Sequence, residues 1–421
     1  MILGGLSGVP MRTILGLCSI AILLASYIVS PAHAAPGDHF NVQPGDLPAP
    51  NTTFPEGLTP SFDPPPPGSA PQVPAGFVIS EFASRQGYIR NLAVAPEGDV
   101  FVVRPEGDVL RMRDTKNAGR ADKIDVFTVG FKGPHGIAIR DGQLYISDSI
   151  AVWRAPYRDR ERIPISEFQR VTTAPDLRPK GIHGTRNMVF DDAGRLYLGF
   201  GSSDDVIEEP PPGATIQLIA ADGSMSTFAT GLRNVEGLAF YPGSNDLWVT
   251  VNERDGLGAR APADFMAHVQ SGDFFGWPYA YDGPIPDPEL GAKRPDMVAK
   301  TKTPEVLFEA HSAPLGLVFY TGTQFPAQYR GGAFIAFHGS WNRAPLPQAG
   351  FRVVFAPFRF NKPTGTFETF ANGFNPTPSA GRAQPGTRRP TGIAQAPDGS
   401  LFVTDDTGGT IWRITYRGSA R

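Results

Sequence analysis

The chain has 421 residues, a formal net charge of −3, 48 glycines and 43 prolines, and only 19% charged residues against 11% aromatics. So much glycine and proline argues against a helical bundle and for many short strands joined by tight turns. The near-neutral charge gives no chain-wide attraction to nucleic acid or an acidic membrane, so any electrostatic recognition must be local.

In chain order, Arg12 precedes an apolar run from Ile14 to Val29, and Ala32-His33-Ala34 supplies a small-x-small tripeptide before Ala35. This is the pattern of a cleaved export signal. Residues 1–34 are therefore expected to be removed, whether synthesis starts at Met1 or Met11, leaving a periplasmic or secreted protein without a stable membrane span. The one cysteine, Cys18, lies in this segment, and Leu17 before it does not suit a lipid-attachment signal. Neither disulfides nor a lipid anchor are expected. Residues 35–75 are proline-rich, with Pro64-Pro65-Pro66-Pro67, and predict an extended leader or strap.

Residues 76–421 repeat one pattern: an apolar triplet, a turn with Gly, Asp or Asn, and an alternating strand. The copies read "RNLAVAPEGDVFVV" from Arg90, "PHGIAIRDGQLYIS" from Pro134, "RNMVFDDAGRLYLG" from Arg186, "RNVEGLAFYPGSNDLWVT" from Arg233, "APLGLVFY" from Ala313 followed by "GGAFIAF", and "RPTGIAQAPDGSLFVT" from Arg389. Further strands follow in "VLRMR", "AVWRAPY", "RVVFAPF" and "TIWRITY". Spacings of roughly 45 to 80 residues match propeller blades with insertions. A two-sheet sandwich would give hairpins without this long period, so the expectation is an all-β, six-bladed β-propeller with a proline-rich N-terminal strap.

In such a fold the first strand of each blade lines an axial channel. The position leading into it is Arg90, His135, Arg186, Arg233 and Arg389 in five copies. Each arginine alone is more often solvated or bonded to a loop carbonyl, but several converging on a narrow channel repel unless an anion lies among them. A small polyanion bearing carboxylates or phosphates would suit their forks. His183, three residues before Arg186, is a candidate proton acceptor. "AFHGSWNRAP" adds His338, Trp341, Asn342 and Arg343 as an aromatic and cationic wall or a packed turn. "NERD" could offer carbonyls and Asp255 to a hard cation such as calcium, although such turns are also common ion pairs. Zinc spacing, a phosphate-binding GxxxxGKS, a dinucleotide fingerprint and a serine elbow are all missing.

These motifs, with "GIHGTRNMVF", "NERDGLG", "GDFFGWPYAY", "HSAPLGLVFYTG" and "GGAFIAFHGSWNRAP" in order, make the chain after about Gly76 resemble the pyrroloquinoline quinone (PQQ)-dependent sugar dehydrogenases, especially their sorbosone dehydrogenase-like branch. The resemblance implies a propeller holding PQQ, a flat tricarboxylate, together with calcium. It further implies His183 as general base, and Arg233, Asn234 and Arg389 as cofactor contacts. His338 or Arg343 would be another cationic contact, and the backbone carbonyls of Glu253 and Arg254, with Asp255 adjoining, would be the metal site. Arg90 and Arg186 complete the expected cofactor ring. Gly184 stands where members commonly carry a bulkier residue, which implies a wider substrate pocket. Ala259-Arg260 stand where acids are expected. The implied reaction oxidises a sugar, sugar aldehyde or polyol and passes electrons to a separate acceptor, a cytochrome or quinone. Substrate loops are expected at Glu208 to Gly213 and Gly283 to Lys302. The alternatives are a metal-dependent propeller lactonase and a non-enzymatic propeller that binds a partner.

Overall fold

In the computed structural model, residues 34–50, 69–173, 175–177, 181–343, 345–375 and 388–418 are described, together with Met1. The export signal expected over 1–34 and the four-proline run lie outside the described residues, Met1 and Ala34 excepted. Six antiparallel sheets follow one another, and the innermost strands of neighbouring sheets contact each other around a closed ring. The expected six-bladed propeller is observed.

Each quoted repeat supplies the innermost and second strands of one blade. Blade 1 is Leu92–Val94, Val100–Arg104, Asp108–Arg113 and Lys123–Val129. Blade 2 runs Ile137–Arg140, Gln143–Ser147, Val152–Pro156 and Gln169–Arg170, and blade 3 runs Met188–Phe190, Leu196–Phe200, Thr215–Ile219 and Met225–Thr230. Blade 4 has Asn234–Phe240, Leu247–Asn252 and Phe265–Val269, then a long insertion before Val306–Leu307. Blade 5 is Pro314–Phe319, Ala333–Phe337, Arg352–Ala356 and Phe367–Ala371. Blade 6 takes Pro390–Gln395, Leu401–Asp405 and Thr410–Tyr416 from the C-terminal region, and its outermost strand, Phe77–Ala83, from the N-terminal side. That pairing closes the ring.

The core is divided into six wedges, one between each pair of neighbouring blades. Successive side chains of a strand point to opposite faces, so Phe101 and Val103 enter the wedge toward blade 2 while Val100 and Val102 enter the wedge toward blade 6. Both faces are buried, which is why the second strands read as unbroken apolar runs. Near the axis, a hydroxyl from every second blade joins it to the next. Gly237 N–H donates to Thr250 Oγ1 at 2.8 Å, and that hydroxyl donates to the Leu315 carbonyl of blade 5 at 2.7 Å. Ser147 and Thr404 do the same toward blades 3 and 1.

The leader has a structural part. His39–Phe40 adds a fifth strand to the edge of blade 5, where Phe40 stacks on Phe367 and the Arg352 guanidinium lies over the Phe40 ring. Among the described residues no helix is long and apolar enough to cross a membrane.

Candidate active site

Arg90, His135, Arg186, Arg233 and Arg389 all precede innermost strands, so the ring brings them to one end of the channel. The arginines fall into two groups, each containing carboxylates that the repeat alignment did not single out, while His135 belongs to neither and has its Nδ1 2.9 Å from Asn187 Oδ1.

The first group joins blades 1, 5 and 6. Arg90 Nη1 donates to Asp406 at 2.8 Å, and His338 Nε2 lies 2.9 Å from the same carboxylate oxygen. Arg389 Nε donates to the His338 carbonyl at 3.2 Å, and its Nη2 donates to the Gly339 carbonyl. Burial opposes the Asp406 charge, but His338, Arg90 and Arg389 outweigh it and hold the carboxyl well below the usual range. Burial pushes Arg389 down to about 10; Asp406 works against this, and the nearby Arg90 cation adds to it.

The second group joins blades 3 and 4. Ile182 N–H pairs with the Ser203 carbonyl, which lays His183 beside the strand exit at Ser202. His183 Nδ1 is 3.0 Å from the Ser202 carbonyl and 2.9 Å from Ser202 Oγ, whose own proton goes to the Asp204 carbonyl at 2.7 Å. Both contacts accept, so Nδ1 carries the hydrogen and Nε2 keeps its lone pair. Nε2 has no hydrogen-bond partner among the described residues. Burial first, then Arg233, pushes the imidazole down to about 3, so it is neutral at pH 7. Gly201 is required here: a Cβ on it would lie 2.4 Å from His183 Cβ and 2.7 Å from Asn234 Oδ1.

Arg233 pairs with Asp205 at 2.8 Å, and its Nη1 donates to the Glu253 carbonyl at 2.7 Å. Asp205 also accepts from Asp255 N–H at 2.9 Å, while its carbonyl accepts from Trp277 Nε1 at 2.8 Å. The hairpin that ends in "NERD" thus leans against the blade 3 loop and the blade 4 insertion. The two expected substrate loops meet as well: Lys293 lies 3.4 Å from Glu208, which also accepts from Tyr279, just ahead of the second loop, at 2.8 Å.

Two expected side-chain contacts are directed elsewhere. Arg186 donates to the carbonyls of Leu177, His183 and Thr185 and lies over Phe200, so it secures the loop that carries His183. Arg343 donates to the carbonyls of Ala259 and Pro347 at 3.1 and 2.9 Å, joining two loops. The Arg254 side chain, whose expected part lies in its backbone carbonyl, is buried against Asp287 and also pairs with Glu289. Trp341 remains about half exposed beside the buried Asn342 and Arg343. Asp255 is held by Asn342 and by His311, whose Nδ1 is 3.3 Å away and whose Nε2 donates to the Gly258 carbonyl at 2.9 Å. His311 opens the quoted "HSAPLGLVFYTG" but was not singled out, because the repeat copy for blade 5 begins at Ala313 and is the one without a lead-in cation. Among the described residues no group of three or more His, Cys, Asp or Glu side chains is arranged to hold a metal ion. A cation at "NERD" would have to use carbonyl oxygens.

A six-bladed propeller whose channel mouth combines a neutral, bare-nitrogen histidine with buried arginines is the class that fold and site define. The family model for glucose/sorbosone dehydrogenases matches residues 88–339, more than half of the chain, and a TrAA12-like model matches residues 291–417. An uncharacterised protein of Borreliella burgdorferi is 30% identical over 360 residues, 82% of this chain and 90% of its own. The aldose sugar dehydrogenase YliI of Escherichia coli is 26% identical over 223 residues, 47% of this chain and 53% of that enzyme. The PQQ domain of pyranose dehydrogenase from Coprinopsis cinerea superposes with a TM-score of 0.69 at 19% identity, covering 83% of this chain and 98% of the domain. The chain belongs to the glucose/sorbosone dehydrogenase family.

Proposed function

We propose that the protein is an exported, periplasmic or secreted, PQQ- and calcium-dependent dehydrogenase that oxidises a sugar, a sorbosone-like sugar aldehyde or a polyol and passes the electrons to a separate cytochrome or quinone. The observation that carries this reading is the pairing of His183, neutral with Nε2 bare, with Arg233 and Asn234 on the adjoining blade. The residues suit a flat, acceptor-rich acid. Arg233 Nε is buried without a partner, and an unsatisfied buried donor costs about 1–3 kcal/mol until an acceptor reaches it. Family membership and the Coprinopsis cinerea PQQ domain support the same cofactor.

Arg233 and Asn234 would hold the acid edge from one side, with Arg90, Arg389 and His338 on the other. A hard cation would take the Arg254 carbonyl oxygen and share that of Glu253 with Arg233 Nη1, because the Asp255 carboxylate already serves His311 and Asn342; a calcium structure of the Trichoderma reesei AA12 enzyme on this fold supports that ion. When bound, the quinone supplies a hydride acceptor. The chain's own chemistry is proton handling. His183 Nε2 takes the substrate hydroxyl proton as the carbon hydride leaves, while Nδ1 stays bonded to Ser202 and keeps the ring aligned. Arg186 fixes the loop from behind.

Reconstitution tests this reading. Apo-protein mixed with PQQ and calcium should acquire bound-quinone absorbance and reduce a dye with some member of a panel of aldoses, ketoses, sugar aldehydes and polyols. No absorbance at micromolar cofactor would contradict it and favour a lactonase or a binding propeller.

A further inference from the structure

Arg90 and His338 are expected to meet the ligand, yet both are already engaged, and by one atom. Asp406 Oδ2 accepts from Arg90 Nη1 at 2.8 Å and lies 2.9 Å from His338 Nε2. A carboxylate only accepts, so Nε2 carries the ring hydrogen. Burial first, then Arg389, pushes His338 down to about 4, so at pH 7 the ring is neutral and has no second N–H to give. Its Nδ1 presents a lone pair, which an acid group avoids. His338 can therefore donate to a ligand's acid group only after Asp406 has let go.

The other Asp406 oxygen is lightly held, accepting from Thr407 Oγ1 at 3.2 Å. The residue also borders a cavity of about 620 Å³, walled by Arg85 and Tyr88 from the loop ahead of blade 1 and by residues 407–409 from the turn after the Leu401–Asp405 strand. That cavity gives the carboxylate room to turn. We propose that Asp406 is a resident counter-anion, which occupies Arg90 and His338 until an acid group of the ligand displaces it toward the adjoining cavity. This rests on the reading of the mouth as a PQQ site. The displacement costs every acid that enters, because Asp406 loses two charged hydrogen bonds and like charges are brought together. A polyacid that is also anchored at Arg233 overcomes that cost. A single acid, such as a sugar aldehyde yields on oxidation, lacks the second anchor, so Asp406 keeps the cations from filling with product.

Asp406→Asn separates this role from one of holding the two donors in place for the ligand, because it keeps the shape and removes the charge. Followed by quinone absorbance in the apo-protein, PQQ should bind about tenfold or more tightly than to wild type. Gluconate, a single-acid probe followed by calorimetry, should gain by a similar factor. Without ligand the variant should melt lower, having lost charged bonds, while its rise in melting temperature on adding PQQ should exceed that of wild type. A gluconate affinity that falls or stays the same would overturn the proposal, as would a PQQ affinity that falls; either would leave Asp406 an orienting or structural group. Should Asp406→Asn not fold, wild type still decides. The His338 Nε2–H resonance should shift as PQQ or gluconate saturates the site, and a resonance that stays in place with ligand bound would overturn the proposal. Failure of the underlying reading has a different signature: neither protein would then bind the quinone, while the gluconate comparison would still show whether Asp406 keeps an acid out.

Discussion

At the scale of single residues, the site is a cationic mouth whose charges are largely matched within the protein, by Asp406, Asp205 and Asp255. The repeat alignment made the arginines legible because they recur at one position. Their carboxylate partners were not, because each comes from a different loop and none repeats. Equivalent positions also proved to have unequal roles. Arg389→Ala should weaken PQQ affinity by about 1.5–3 kcal/mol, as one charged hydrogen-bonding group leaves the ligand's side of the channel, and should also lower the melting temperature, since the carbonyls of His338 and Gly339 lose their donor. Arg343→Ala should lower stability alone, because it leaves the carbonyls of Ala259 and Pro347 without their donor. Its melting temperature should drop while cofactor affinity is kept. Reconstitution titrations beside melting curves check both, and equal affinity losses in the two variants would contradict the assignment.

At the scale of elements, the inner strands were legible from alternation and turn residues, and the quoted copies match the first two strands of every blade. Phe77–Ala83 was not placed, because its partner Thr410–Tyr416 lies at the other end of the chain and no local pattern encodes a pairing of that span. The strand is anchored by Phe77, which meets Phe325, Phe370 and Tyr329 edge-on at 4.8, 5.0 and 5.5 Å. Phe77→Ala should cost about 3–5 kcal/mol, the usual loss for emptying a buried aromatic site. Denaturant unfolding measures it. A loss below about 1 kcal/mol would show that the N-terminal strand does not hold the ring closed. The leader carries a short edge strand as well as its turns, and Phe40 is the residue that docks it.

At the scale of the whole molecule, six wedges of apolar side chains bind six sheets into a ring, and the one cysteine lies in the segment ahead of them. The rigid ring supplies the strand ends, and loops from several blades supply the chemistry, as is common for sites built on a fixed scaffold. The central claim is that His183 moves the proton while other residues hold the cofactor. Turnover normalised to bound quinone, measured for wild type and His183→Gln in calcium buffer beside a melting curve, tests it most directly. Near-normal PQQ binding and melting are expected, with turnover reduced on the order of a hundred- to ten-thousand-fold. Retention of more than about a tenth of the normalised turnover, short of any general-base effect, would contradict it.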